Sequence, residues 1–174
     1  MTEISQEKND RGAGILLATN VENSLDYVLL KTLYGPTDKL FDQNGPLSSF
    51  SNKIQMGRAL GLYGEQTSSN LDTIRHIRNA FAHAQIPITF ETPEVAAGCR
   101  LLTIQEVLFP RAVREPPVAD KMTARALFTE VCNTIAHNFQ WLHRREALRA
   151  AAEAAKSAHT PNGIQILFRP APLP

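Results

Sequence analysis

The chain is expected to fold as an all-α protein, a bundle of about five helices whose last member is much longer than the others. Three observations lead to this expectation. Apolar residues recur every three or four positions in several separate stretches, which is the spacing of one helix face. Gly35-Pro36 and Asn44-Gly45-Pro46 divide those stretches into blocks of helical length. From Thr123 to Ala158 the chain contains neither glycine nor proline, so nothing in it interrupts a helix.

Residues up to about Asp10 are polar and carry no pattern. The first helix is expected from Arg11 to Leu33, with Ile15, Leu16, Val21, Leu25, Val28 and Leu29 at helical spacing. A turn-rich loop follows. Ser48 or Ser49 can cap a second helix through Ile54, Met56 and Leu60, because a serine hydroxyl accepts from a free N–H of the first turn. Gly61 suits a left-handed stop after which Leu62 folds back. Gly57, inside the helix, costs about 1 kcal/mol relative to alanine, which close backbone approach would justify. The third helix spans about Glu65 to Ala84, and Pro87 prevents its continuation. Thr92-Pro93-Glu94 reads as a cap followed by proline at the first helical position of a short fourth helix ending near Leu102.

The chain therefore divides into a helical core over residues 1–102, a Pro/Arg-containing linker over 103–122, a long helix over 123–158 that completes the same domain, and a tail over 159–174. Leu127, Val131, Ile135, Phe139, Leu142 and Leu148 mark the buried stripe of the long helix. At 1.5 Å per residue it would run roughly 54 Å, more than a domain of this size needs, so its alanine-rich end could reach a partner subunit. Gly163 to Phe168 is strand-like, and an isolated strand needs a partner edge or stays mobile.

The stretch Leu71-Asp72-Thr73-Ile74-Arg75-His76-Ile77-Arg78-Asn79-Ala80-Phe81-Ala82-His83 carries the densest chemistry. Leu71, Ile74, Ile77 and Phe81 form its core stripe, and Asp72, Arg75, His76, Arg78, Asn79 and His83 occupy the other faces. Arg78-Asn79-x-x-x-His83 suits a phosphodiester without a metal. A guanidinium holds non-bridging oxygens bidentately, and an imidazole moves a proton near neutral pH. Asn79 and His83 face the same way one turn apart, whereas Arg78 lies about 140° from His83 and must swing across. Glu22 or Asn23 of the first helix could reach this pair, and Asp72 and Arg75 could support it.

The same residues also admit plain structural roles. Arg78 could form an ion pair with Asp72 or Glu22, and His83 could bond the last carbonyls of its helix. His76 could pair with Asp72. Asn20, Glu22, Asn23 and Asp26 could line a solvated face. His137 and His143, six residues apart near Trp141, have the wrong spacing for metal ligands on one turn.

The Arg78–His83 segment resembles the R-x4-6-H signature of the HEPN superfamily. A wider set of residues resembles the mannitol operon repressor (MltR) family over Asn9 to Leu102. They are Asn9-Asp10-Arg11, Leu40-Phe41-Asp42, Gly45-Pro46-Leu47-Ser48-Ser49-Phe50, Ala59-Leu60-Gly61-Leu62, Ile77 to His83, and Thr92-Pro93-Glu94-Val95. The resemblance implies a HEPN-like helical bundle, a homodimer, and a regulator that reduces expression of a sugar-alcohol uptake operon. The superfamily also includes metal-independent RNA-cleaving enzymes. On that alternative Arg78 would hold the phosphate, His83 would act as general acid or base, and Asn79 would orient the 2′-hydroxyl or the imidazole. A third reading is an interaction module whose ancestral site has decayed.

Composition narrows the choice. A net charge of +1 over 174 residues supplies no bulk field to attract nucleic acid. With no helix-turn-helix legible, direct sequence-specific DNA binding is not expected, and regulation should run through a protein partner or dimer surface. Cys99 and Cys132 lack the spacing of a zinc site or disulfide framework, so no metal or cofactor is implied. A polar start, and no apolar run of membrane-spanning length, lead to the expectation of a cytoplasmic protein.

Overall fold

A computed structural model describes residues 10–104 and 118–158, with side chains as far as residue 142. The described residues form five α-helices and no strand: α1 (Asp10–Thr32), α2 (Phe50–Ala59), α3 (Glu65–His83), α4 (Pro93–Arg100) and α5 (Ala124–Ala158), with a 3-10 turn at Ala119–Lys121 before α5. The expected all-α bundle is what the chain adopts. Each helix lies within two residues of its expected limits. Residues 105–117 of the linker and the whole of the 159–174 tail, including the strand-like run, lie outside the described residues, as do the side chains of His143 and Leu148. The chain divides into a unit over 1–143 and a second over 144–174, and the core and the candidate site both belong to the first.

The local signals act as their chemistry requires. The Ser49 hydroxyl accepts from the Asn52 N–H at 3.2 Å and caps α2. At the other end Leu62 N–H reaches Gly57 O and Gly61 N–H reaches Arg58 O, both at 3.0 Å, the paired bonds of a Schellman stop. Gly61 sits at φ 68°, where a side chain would be strained. Gly57 is close to the Tyr63 ring, and Tyr63 donates its hydroxyl hydrogen to Ile54 O at 2.8 Å. Pro93 opens α4 as expected, but the Thr92 hydroxyl turns back to accept from Thr89 N–H at 3.0 Å and gives α4 no side-chain cap.

α1 and α3 pack antiparallel. Gly14 meets Phe81 near one end, where a Cβ on Gly14 would lie 2.5 Å from the ring, and α1 meets α3 again further along at Glu22 and Arg78. Around this pair Leu17, Val21, Leu25, Leu71, Ile74 and Phe81 are buried, and α5 adds Leu127, Phe128, Val131, Ile135 and Phe139. Phe81, Phe90 and Phe128 pack in series, the first pair edge to face and the second tilted, with ring centroids 4.9 and 5.3 Å apart. Each such ring contributes on the order of 2–3 kcal/mol by burial, so the apolar core supplies the stability. One residue departs from the expected stripe: Leu16 is 49% exposed, and Leu17 takes the core position.

Candidate functional site

Glu22, half-buried on α1, stands between two cations. Lys53 of α2 donates to its Oε1 and Arg78 of α3 to its Oε2, each at 2.8 Å. Lys53 also donates to Asp26 Oδ2 at 2.8 Å, one turn further along α1. Arg78 completes its contacts through Nη1, which donates to Asn79 Oδ1 at 3.1 Å. Two carboxylates thus face two cations at the junction of α1, α2 and α3, and the cluster carries no net charge.

Burial shapes the titration of this group. The Asp26 carboxyl is pushed above its ordinary value by loss of solvent, against the pull of Lys53, and its Oδ1 is buried with no partner among the described residues. For Lys53 burial works downward. Its hydrogen bonds to Asp26 and Glu22 together outweigh that effect and hold the ammonium above its usual range.

His83 is placed differently. It is the last residue of α3 and exposed, and its side chain makes no hydrogen bond or ion pair among the described residues. The carbonyls that a terminal histidine could have taken are bonded by Arg11 instead, at 2.9 Å to Ala82 O and 3.4 Å to Ala84 O. Arg78 is therefore anchored to α1 at Glu22, while the turn bearing His83 is anchored at Arg11, eleven residues and about 16 Å earlier on that helix.

Of the residues singled out in the sequence, the structure joins Arg78, Asn79 and Glu22. Asn23, next to Glu22, is exposed on the outer face of α1. Asp72 pairs with Arg75 at 3.1 Å rather than with His76, and His76 Nε2 lies 3.1 Å from Arg75 Nη2. Lys53 and Arg11 were not anticipated. Lys53 had a legible signal, since it shares a helical face with Phe50, Ile54 and Gly57 and so occupies a core position on α2. Asp26 one turn after Glu22 was the matching acidic half.

Two further polar clamps shape the domain. Asn70, 1% exposed, donates to Thr103 O at 2.8 Å and accepts from Thr103 N at 3.0 Å. Asp10 accepts from Arg125 Nη1 at 2.8 Å and from Phe90 N at 3.1 Å. Cys99 and Cys132 are buried free thiols. Among the described residues no three His, Cys, Asp or Glu side chains gather as a metal site would require, and no helix is long and apolar enough to cross a membrane.

Comparison of the chain with protein-family models, with curated proteins and with solved structures finds no match.

Proposed function

We propose that this chain is a non-enzymatic regulator of the MltR type, a homodimer that lowers expression of a sugar-alcohol uptake operon through protein–protein contacts. The observation that carries the choice of regulator over enzyme is the Arg78–Glu22 ion pair at 2.8 Å. A guanidinium meant for a phosphate must present its donors to that phosphate. Here Nη2 is committed to a carboxylate and Nη1 to Asn79. An incoming phosphate would have to displace Glu22 and meet its charge at close range, a repulsion of several kcal/mol in a half-buried setting. The resemblance over Asn9 to Leu102 supports the regulatory class, and the near-zero net charge supports action through proteins rather than on DNA.

The alternative is a metal-independent endoribonuclease using Arg78 and His83 across a dimer. The exposure of His83 at a helix end favours it, since an imidazole there is accessible. His83→Ala separates the readings, because its exposed side chain can be removed without disturbing the core. In a reporter strain for sugar-alcohol uptake, wild type and His83→Ala should repress equally, and purified protein should leave varied RNAs intact with chelator present. Loss of repression in His83→Ala, together with chelator-resistant RNA cleavage by wild type, would overturn the proposal in favour of the nuclease.

A further inference from the structure

The loop that leads into α2 holds a reactive dipeptide. Asn44 is exposed and is followed by Gly45, which has no side chain to shield its amide nitrogen. In such a pair the glycine nitrogen can lose its proton to water and attack Asn44 Cγ. A C–N bond forms, the bond from Cγ to Nδ2 breaks, and ammonia leaves, which closes a five-membered succinimide. Water then opens the ring at either carbonyl and leaves an aspartate or an isoaspartate at position 44. Water is the only co-reactant.

The fold holds that nitrogen elsewhere. Gly45 N–H donates to Asp42 O at 2.8 Å and closes a four-residue turn that has Asn44 as its third member. The turn is pinned from the far side as well: Gly45 O accepts from Ser48 N–H at 3.1 Å, Leu47 N–H donates to Leu40 O at 2.8 Å, and Leu47 is buried. Gly45 fits so closely that a Cβ on it would collide with the backbone carbonyls of Lys39 and Leu40. To reach Asn44 Cγ, the nitrogen must give up Asp42 O and turn in a space with no room for the movement.

We propose that Asn44-Gly45 is a site of spontaneous deamidation controlled by this turn, protected while the turn is closed and reactive whenever it opens. The modification also prevents the turn from closing again. An isoaspartate routes the main chain through its own side-chain carbon, which adds one atom to the backbone that must seat Gly45 against Lys39 and Leu40 and carry Leu47 into the core. A chain that has stayed open long enough to react therefore cannot return to the same turn.

The test uses the full chain, incubated in mildly alkaline buffer with and without guanidinium chloride and quenched in acid. Deamidation is read by mass spectrometry in the tryptic peptide spanning 40–53, with fragment ions placing it at Asn44. The same dipeptide recurs at Asn162-Gly163 and serves as the reference in denaturant, where the two sites should react at similar rates. Without denaturant Asn44 should react roughly tenfold more slowly or less than with it, because only the open turn is competent. Leu47→Ala, which removes the anchor of the turn from the core, should speed the native reaction several-fold. Chains carrying isoaspartate at position 44 should melt below unmodified ones. Equal rates at Asn44 with and without denaturant, or a slow Asn44 beside a fast Asn162 in denaturant, overturn the control by the turn. Isoaspartate chains that melt and refold as unmodified ones do overturn the irreversible step.

Discussion

Arg78 and Glu22, 56 residues apart in the chain, are joined by a 2.8 Å ion pair across the α1–α3 junction. Half-buried pairs of this kind contribute little net stability compared with apolar contacts, yet stranding one member costs up to about 3–5 kcal/mol, the figure for full burial. The cluster therefore opposes any rotation of α1 that would separate Glu22 from Lys53 and Arg78.

Glu22→Gln should lower stability by about 3 kcal/mol in urea unfolding, because it weakens the contacts of two cations at once. His83→Ala should change it by less than about 0.5 kcal/mol. Equal effects for the two would show that the cluster is more solvated than its geometry implies.

Asp26→Asn should behave unlike Glu22→Gln. Burial holds the Asp26 carboxyl above 3.8, so the folded chain keeps that proton more tightly than the unfolded chain does. Its contribution is fully present below pH 3.8 and disappears as pH rises through the folded value. At neutral pH the asparagine should be within about 1 kcal/mol of wild type. On acidification wild type should gain relative to the variant, measured as the difference in unfolding free energy through the acid range.

Alkaline pH should weaken the fold in stages. Burial pushes the Cys99 thiol from 9.0 up to about 12 and raises Cys132 and Tyr63 as well, so from about pH 9 the unfolded chain releases protons that the folded chain retains. Lys53 adds to this: its contribution is complete below 10.5 and is lost as pH climbs through its higher folded value. Lys53→Met should flatten the last part of the curve. Neither thiol should react with an aromatic disulfide reagent at pH 8 until denaturant is added.

Asn70→Ala should cost about 2 kcal/mol. It leaves both the N–H and the C=O of Thr103 without their side-chain partner. Asn70→Asp should not rescue it, since a carboxylate can accept from the amide but cannot donate to the carbonyl. Thermal melts of the two variants check this.

Gly14→Ala should destabilise by about 1–3 kcal/mol despite the better helix propensity of alanine, because the new methyl would lie 2.5 Å from the Phe81 ring. A melting temperature above wild type would mean that α1 and α3 can part without penalty.

Helix order and limits were legible because glycine and proline mark them and because the stripe of α3 is regular from Leu71 to Phe81. α1 was harder to read. It is apolar on two faces, so periodicity alone placed Leu16 inside and gave no separate sign of Leu17. At the site, Glu22 was among the anticipated partners of Arg78, but Asn23 beside it was equally eligible, and only the rotation of α1 decides between them. Arg11 and Lys53 escaped notice because a long cation's target depends on which backbone or carboxylate the fold delivers to it, which no local pattern encodes. An ion pair of Arg78 with Glu22 was one of the readings open in the sequence; that Lys53 would share the same carboxylate was not. Arg78 and His83 are conspicuous in the chain, whereas the acid that neutralises Arg78 comes from a different helix.

Asp10 bonds the backbone of Phe90 and the guanidinium of Arg125 with its two oxygens, so the start of α1 waits on both the α3–α4 loop and the first turn of α5. A nascent chain stopped before residue 124 would carry α1 with that carboxylate half-satisfied and the Phe81–Phe90 pair open on the side that Phe128 closes. Synthesis from the N-terminus therefore leaves the domain unfinished until most of its length has left the ribosome, and helices made first are held to their final places by one made last.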